Sequence, residues 1–362
     1  MVIMKHKLIL SIITAGLVGS ISGKSDLPYE GVLSTTFGSI LQRAHPHQAA
    51  KLIETRNCPG CNLENAELVF EVLDQSNLFQ ANLQRANITS SKFNQSNFQR
   101  ANLGNVRASL TIFDSSNMQE VDGSQGIFSD ALLNGVNASK SNFRVASFNN
   151  AHMTAANFSE SNLSEADLQN VMASKINLTN AKADFANFSR ANLNQGVLVG
   201  LNAQSAMFID TRLEFADLNG ANLTDVFLKS ANLFKANLKN AKLDHADCRH
   251  ATFTATDLTG ATMIGADFSD ADLFQAKISP QQLDRILLCN TMGVSEKIKN
   301  RDCARIKKFE ATLNPAPIDT KKPATEIINH EPMGEAEGPA PYHPAPYTPY
   351  HPEPYTPYHP PV

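Results

Sequence analysis

The chain keeps a beat of five. From Leu63 to Ile278 every fifth residue tends to be Leu, Phe, Met or Ile, a run of 44 positions without insertion or deletion. Leu78, Leu83, Ile88, Phe93, Phe98 and Leu103 carry it early, and Leu213, Leu218, Leu223, Leu228, Leu233, Leu238 and Leu243 carry it late. Two residues before each centre stands a small residue, usually Ala, and the residue between them is commonly Asn or Asp. Neither an α-helix, with its period of 3.6, nor a flat strand, with its period of 2, puts such centres on one face. The pattern predicts a chain that turns once every five residues. Four turns would bring it back over itself after 20 residues, with Asn82, Asn102, Asn142, Asn162, Asn202 and Asn222 in one column and Asn77, Asn97, Asn117, Asn137, Asn157 and Asn177 in another. Stacked Asn side chains can hydrogen-bond along a column and satisfy turn backbone groups. A strict five-residue beat also produces 20-residue coincidences, so the columns alone do not fix the number of sides.

Ala81-Asn82-Leu83, Ala166-Asp167-Leu168, Ala216-Asp217-Leu218 and Ala271-Asp272-Leu273 match the motif A-(D/N)-L-x-x. The chain thereby resembles the exported bacterial pentapeptide-repeat proteins. The resemblance covers about 60% of the length and implies an all-β fold. The expected fold is a right-handed quadrilateral parallel β-helix, a solenoid of stacked coils, with short helical caps and a disordered Pro-rich tail. The implied boundaries are a signal peptide over 1–23, an N-terminal helical cap over 24–57, the β-helix over 58–279, a C-terminal helical cap over 280–313 and the tail over 314–362.

Some positions break the rhythm. Ala108, Gly123, Ala138, Ala173, Ala183, Ala203 and Cys248 are undersized centres, and Ala183 and Ala203 would be neighbours, which predicts an underfilled interior or a dent. Ile176 and Leu201 are oversized at small positions and predict an irregular coil. Glu71, also at a small position, is expected to swing outward, because an unpaired buried carboxylate is costly. Ser34 to Arg56 reads as a helical cover for the first coil, with Pro46 breaking or starting a helix. Ser279-Pro280-Gln281-Gln282-Leu283 reads as a helix start, with Leu283, Ile286 and Leu287 as an apolar helical stripe over the last coil.

The two ends differ from the middle. Lys5, His6 and Lys7 precede a 14-residue apolar run, Leu8 to Ile21, which is shorter than the ~20 residues of a membrane span and is followed by small residues. This predicts an export signal, a periplasmic or secreted protein, and no membrane association after cleavage. From Asn314 onward Pro is dense, and five of the six Tyr lie after residue 340. Pro cannot donate to a ladder, so this stretch is expected to sample polyproline II. His343, His351 and His359 recur there every eight residues, and a solvated tail is favoured over a metal-chelating tract.

In an exported chain the five cysteines are expected to divide into two disulfides and one buried thiol, Cys248. The resemblance reinforces this, since C-P-x-C before the first repeat corresponds to Cys58-Pro59-Gly60-Cys61. A closing segment of the family corresponds to Leu288-Cys289-Asn290-Thr291 and Asn300-Arg301-Asp302-Cys303. The sharper alternative is a zinc site of His45, His47, Cys58 and Cys61, disfavoured in an oxidising compartment.

Charge is nearly balanced, with 31 Lys+Arg against 35 Asp+Glu and a net charge of −4. No strong field for nucleic acid or anionic membrane follows. No phosphate loop, metalloprotease helix or nucleophile elbow occurs, so neither an enzyme nor a cofactor is expected. The leading function is a rigid scaffold for a protein partner, with a candidate surface of Met207, Ile209, Phe227 and Lys229 in a neighbourhood made basic by Lys235, Lys239, Lys242 and Arg249. A second copy could dock through a rod end. The resemblance also implies a DNA-mimicking, topoisomerase-binding alternative, but 22 acidic against 16 basic residues from Cys61 to Pro280 is weak mimicry. A third reading is a secreted factor acting on a host cell.

Overall fold

The computed structural model describes residues 45–295 and 298–304; the signal-like segment, Ser34 to Ala44 and the Pro-rich tail lie outside the described residues. The repeating unit is a one-residue parallel bridge followed by a tight turn. Each bridge joins a residue to the one 20 positions on, from Asn57↔Asn77 to Asp272↔Met292. Bridges recur every five residues, so one coil has four sides. We number the sides one to four by their bridging columns, which start at Asn62, Glu67, Val72 and, for side four, Asn57. At roughly 4.8 Å per coil, about twelve coils make a rod on the order of 55 Å long.

The backbone explains the period. A centre N–H donates to the coil above, as Leu63 does to the Asn82 carbonyl at 2.6 Å, and the Asn82 N–H returns to the Cys61 carbonyl at 2.8 Å. The next small residue closes the turn, as Ala66 N–H does onto the Leu63 carbonyl at 3.0 Å. The residue before it adopts positive φ, 56° at Asn65 and 58° at Gln75. Three extended residues and a two-residue corner therefore make five.

Centres and small positions point inward. Leu218 and Leu238 are buried, as are Phe93, Phe98, Phe113, Phe128, Phe143, Phe148 and Phe158. These Phe rings form a run of edge and stacked contacts, with Phe128 and Phe148 stacked at 5.0 Å. Burial of each such side chain stabilises by ~1.5–3 kcal/mol before entropy. Most Ser and Thr fit the small positions because their hydroxyls return a bond to the backbone, although the buried Ser76 hydroxyl has no partner among the described residues. Ser116 Oγ donates to the Phe93 carbonyl at 2.6 Å and accepts from the Ser96 N–H at 3.1 Å. Both Asn columns are hydrogen-bonded, for example Asn77 Nδ2 to Asn57 Oδ1 at 3.0 Å and Asn162 Nδ2 to Asn142 Oδ1 at 3.1 Å.

The expected irregularities do not occur. Bridges run without interruption through Lys182↔Asn202 and Asn202↔Asn222, and through Asn157↔Asn177 and Asn177↔Val197. Volume is exchanged between neighbouring inward positions. Leu201 is fully buried two residues before the small centre Ala203. Ile176 is likewise buried, and Gly196 lies above it, where an added Cβ would stand 2.8 Å from Leu198 Cδ1 and 3.5 Å from Ile176 Cγ2. Glu71 is half-buried.

The ends also correct the sequence reading. Helix α1 spans Pro46–Thr55, begins at the proline, and buries Leu52 against the first coil. Helix α2 is only Pro280–Leu283, held by a capping box between Ser279 and Gln282. Gln282 Nε2 donates to the Leu258 and Ala261 carbonyls at 2.8 Å each, standing in for the backbone of a further coil. The helical stripe through Ile286 and Leu287 is not formed. Those residues resume the five-residue register: Ile286 and Leu288 are buried, and Leu287 bridges Asp267. Register wins because Ile286-Leu287-Leu288 repeats the inward-outward-inward order of the coils beneath. Strands β1 (Thr291–Met292) and β2 (Ile298–Lys299) then pair antiparallel.

Candidate interaction surfaces

Bridging residues and corner residues face solvent, and the columns they form define what a partner would meet. Met207 and Phe227 are bridge partners on side two, 37% and 45% exposed. Ile209 is half-buried and Lys229 exposed in the adjacent column of that side. These four residues are therefore brought together.

Their expected basic surroundings are not. The 20-residue register puts Lys235 at a corner of side three, Lys239 on side four and Lys242 on side one, leaving Lys229 and Arg249 on side two. Arg249 is bound by Asp247, with Nη2 to Oδ2 at 2.6 Å. Burial raises the Asp247 carboxyl pKa, but the Arg249 bonds and charge outweigh it and leave a net lowering. Lys239 lies 3.5 Å from Asp257.

A second apolar surface escaped the sequence reading. Phe70 and Leu110 share one corner column, two coils apart, 77% and 57% exposed. Val72 and Met172 are exposed on the adjoining side three, with Ile112 and Leu132 half-buried between them as direct bridge partners. Lys92 interrupts the ridge between Val72 and Ile112. The signal was available: once 20 residues make a coil, Val72, Ile112, Leu132 and Met172 fall in one column.

The corners add a cost. Phe70 has φ 60°, Leu110 58°, Val145 61°, Phe185 59° and Phe215 59°. Left-handed backbone costs a residue with a Cβ roughly 1–2 kcal/mol and favours Gly or Asn. Other corners share the same positive φ but mostly carry polar residues or Gly. An alternating ladder of Arg100, Glu120, Lys140 and Glu160 climbs one of them, with Arg100 Nε 2.8 Å from Glu120. Phe215 and Phe234 meet edge to face at 5.5 Å, and the Lys235 ammonium sits 5.0 Å from the Phe234 centroid.

At the rod entrance Cys58 is bonded to Cys61, so the two thiolates of the zinc alternative are engaged with each other. His45 Nε2 lies 2.7 Å from Asn62 Nδ2. Among the described residues no group of three or more His, Cys, Asp or Glu could hold a metal ion. Cys289 is bonded to Cys303, and Cys248 is a buried free thiol whose pKa burial raises well above the usual range. No described helix is long and apolar enough to cross a membrane.

The pattern described as Pentapeptide repeats matches in eight copies, over residues 57–95, 127–164, 161–198, 186–225 and 231–270. Among solved structures the chain is similar to HetL, a pentapeptide repeat protein involved in heterocyst differentiation regulation from the cyanobacterium Nostoc sp. strain PCC 7120. The two share 22% identity, covering 65% of this chain and 93% of that one, with a TM-score of 0.42. It is also similar to QnrB1, a plasmid-mediated fluoroquinolone resistance protein (18% identity, 60% and 91% covered, TM-score 0.22). A third is a pentapeptide repeat protein from the Arabidopsis thaliana thylakoid lumen (22% identity, 46% and 73% covered, TM-score 0.17). Among curated proteins no sequence matches this chain. The five-residue coil, the inward Leu and Phe centres and the eight matched repeats place the chain in the pentapeptide-repeat family.

Proposed function

We propose that this protein is a non-enzymatic, rigid scaffold that binds a protein partner through its outer columns, exported to the periplasm or secreted, with the right-handed coil of its family. One observation carries the binding role. Large apolar side chains stand in solvent at corners where the backbone itself disfavours them, Phe70 at 77% exposure and φ 60° above all. Such residues lower stability twice, through strain and through exposed apolar surface, and a partner that covers them recovers the second cost. The ridge of Phe70, Val72, Leu110 and Ile112 and the smaller patch of Met207 and Phe227 are the two surfaces offered. Export is supported by the basic-then-apolar start of the sequence and by pairing of four of the five cysteines.

The test is binding in the native extract with Phe70→Asn/Leu110→Asn and Met207→Ser/Phe227→Ser variants. Asn tolerates positive φ, so the first pair should be at least as stable as the parent while losing partners that the parent retains. Partners retained by both variants would refute the reading. N-terminal sequencing of the mature chain from cell fractions tests export; a cytoplasmic protein beginning at Met1 would refute it.

A further inference from the structure

In the body of the rod each coil is covered by the backbone of the next. Phe268 N–H donates to the Leu287 carbonyl and Asp270 N–H to the Cys289 carbonyl. The last coil has no successor, yet its upward-facing groups are satisfied by three consecutive side chains. Leu288 N–H donates to Asp302 Oδ2 at 3.0 Å, and Asn290 N–H donates to Asn300 Oδ1 at 2.7 Å. Arg301 donates to the Leu283 carbonyl at 3.2 Å and to the Ile286 carbonyl. The Asp302 N–H also reaches the Leu288 carbonyl at 2.9 Å. Asn300-Arg301-Asp302 thus imitates a further coil with carboxylate, amide and guanidinium groups. Apart from the two-residue pairing of β1 with β2, this lid is tied down by the Cys289–Cys303 disulfide.

The two disulfides differ in access. Cys58 and Cys61 are buried under α1, 0% and 6% exposed, whereas Cys289 and Cys303 are both half-buried at the rod end. We infer that Cys289–Cys303 is a redox latch: its reduction by a dithiol frees the Asn300-Arg301-Asp302 lid and bares the hydrogen-bonding edge of the last coil. The step balances. One thiolate of the dithiol attacks a latch sulfur and the S–S bond breaks. The second thiolate resolves the mixed disulfide, leaving Cys289 and Cys303 as thiols and the reductant as its disulfide, with two electrons and two protons transferred. Without the covalent tie the lid opens from the edge far more often, and an uncovered edge is a template for strand pairing.

The full-length protein tests this with dithiothreitol as the reductant. Under native conditions alkylation should mark Cys289 and Cys303 and leave Cys58, Cys61 and Cys248 unmarked until the rod unfolds. Amide exchange at Leu288 and Asn290 should then rise by about 10²-fold, the factor expected for releasing a loop of this length, while Leu178 and Leu198 in the middle of the rod keep their protection. A Cys289→Ser/Cys303→Ser variant should show the same local loosening without reductant. Unchanged exchange at Leu288 and Asn290 after reduction would overturn the latch. Loss of protection along the whole rod, in the reduced protein or the variant, would overturn it as well, since the disulfide would then be a global staple.

Discussion

Gly123 occupies a centre position, where the rhythm asks for Leu or Phe. A Cβ added there would lie 2.4 Å from Phe143 Cε1 and 2.6 Å from Phe143 Cδ1. Carbon atoms pack best at roughly 3.5–4.0 Å, so Gly123→Ala requires the ring to withdraw by about 1 Å. Phe143 has nowhere to go: it is fully buried, with Phe128, Phe148 and Phe158 at centroid distances of 5.6, 5.3 and 5.5 Å. Overpacking of this kind costs ~1–3 kcal/mol, against ~0.4–1 kcal/mol gained by stiffening the unfolded chain. The expected net loss is about 1–2 kcal/mol for Ala, and more for the consensus Leu. Urea unfolding followed by circular dichroism measures it, since the protein lacks Trp. A Gly123→Ala/Phe143→Leu double variant should recover part of the loss beyond additivity, because the smaller side chain vacates the contact. A Gly123→Ala protein as stable as the parent, or two strictly additive effects, would refute the volume-exchange account of the interior.

Val145→Asn should stabilise by about 1 kcal/mol, because a β-branched residue at φ 61° is replaced by one that tolerates it; a lowered urea midpoint would contradict this. Asp302→Ala should cost ~1–3 kcal/mol at the rod end by orphaning the Leu288 N–H, read as faster amide exchange at Leu288 before any change at Leu178. Ser116→Ala removes one of the two acceptors of the Ser96 N–H inside the core, leaving the Phe93 carbonyl at 3.2 Å, and should lower the urea midpoint by the ~0.5–1.5 kcal/mol of a single hydrogen bond. At Asp257 burial raises the carboxyl pKa, but bonds from Thr259 and Lys277 with the nearby Lys239 outweigh it, leaving the group well below the usual carboxylate range. A folded pKa below the unfolded one contributes stability that is present above ~pH 4 and lost as the pH falls through the folded value. Carboxyl NMR should follow that depressed titration, and Lys277→Gln should move it upward.

The repeat was legible because its cause is local. A small residue, an outward polar residue, an inward Leu or Phe and a two-residue corner each satisfy the backbone within five positions, and the pattern declares itself without any long-range contact. The helix start at Pro46 and the N-cap at Ser279 were legible for the same reason, since Pro46 and Ser279-Pro280 act on their own neighbours, whereas the return bond from Gln282 was not read.

Whatever depends on position within a coil was not legible, because it joins residues 20 apart. Leu201 and Ile176 read as faults in one dimension, and the structure buries both with the bridges beside them intact. The lysines near residue 240 read as one patch, and the register spreads them over separate sides. Phe70, Leu110 and Ile112 became one ridge only when the coil was closed. The period, the inward set and the local caps follow from residue order alone, because these rest on backbone chemistry within a single turn. The tertiary structure alone decided which outward residues are neighbours and how Asn300-Arg301-Asp302 covers the final coil, because both depend on how one turn is stacked upon another.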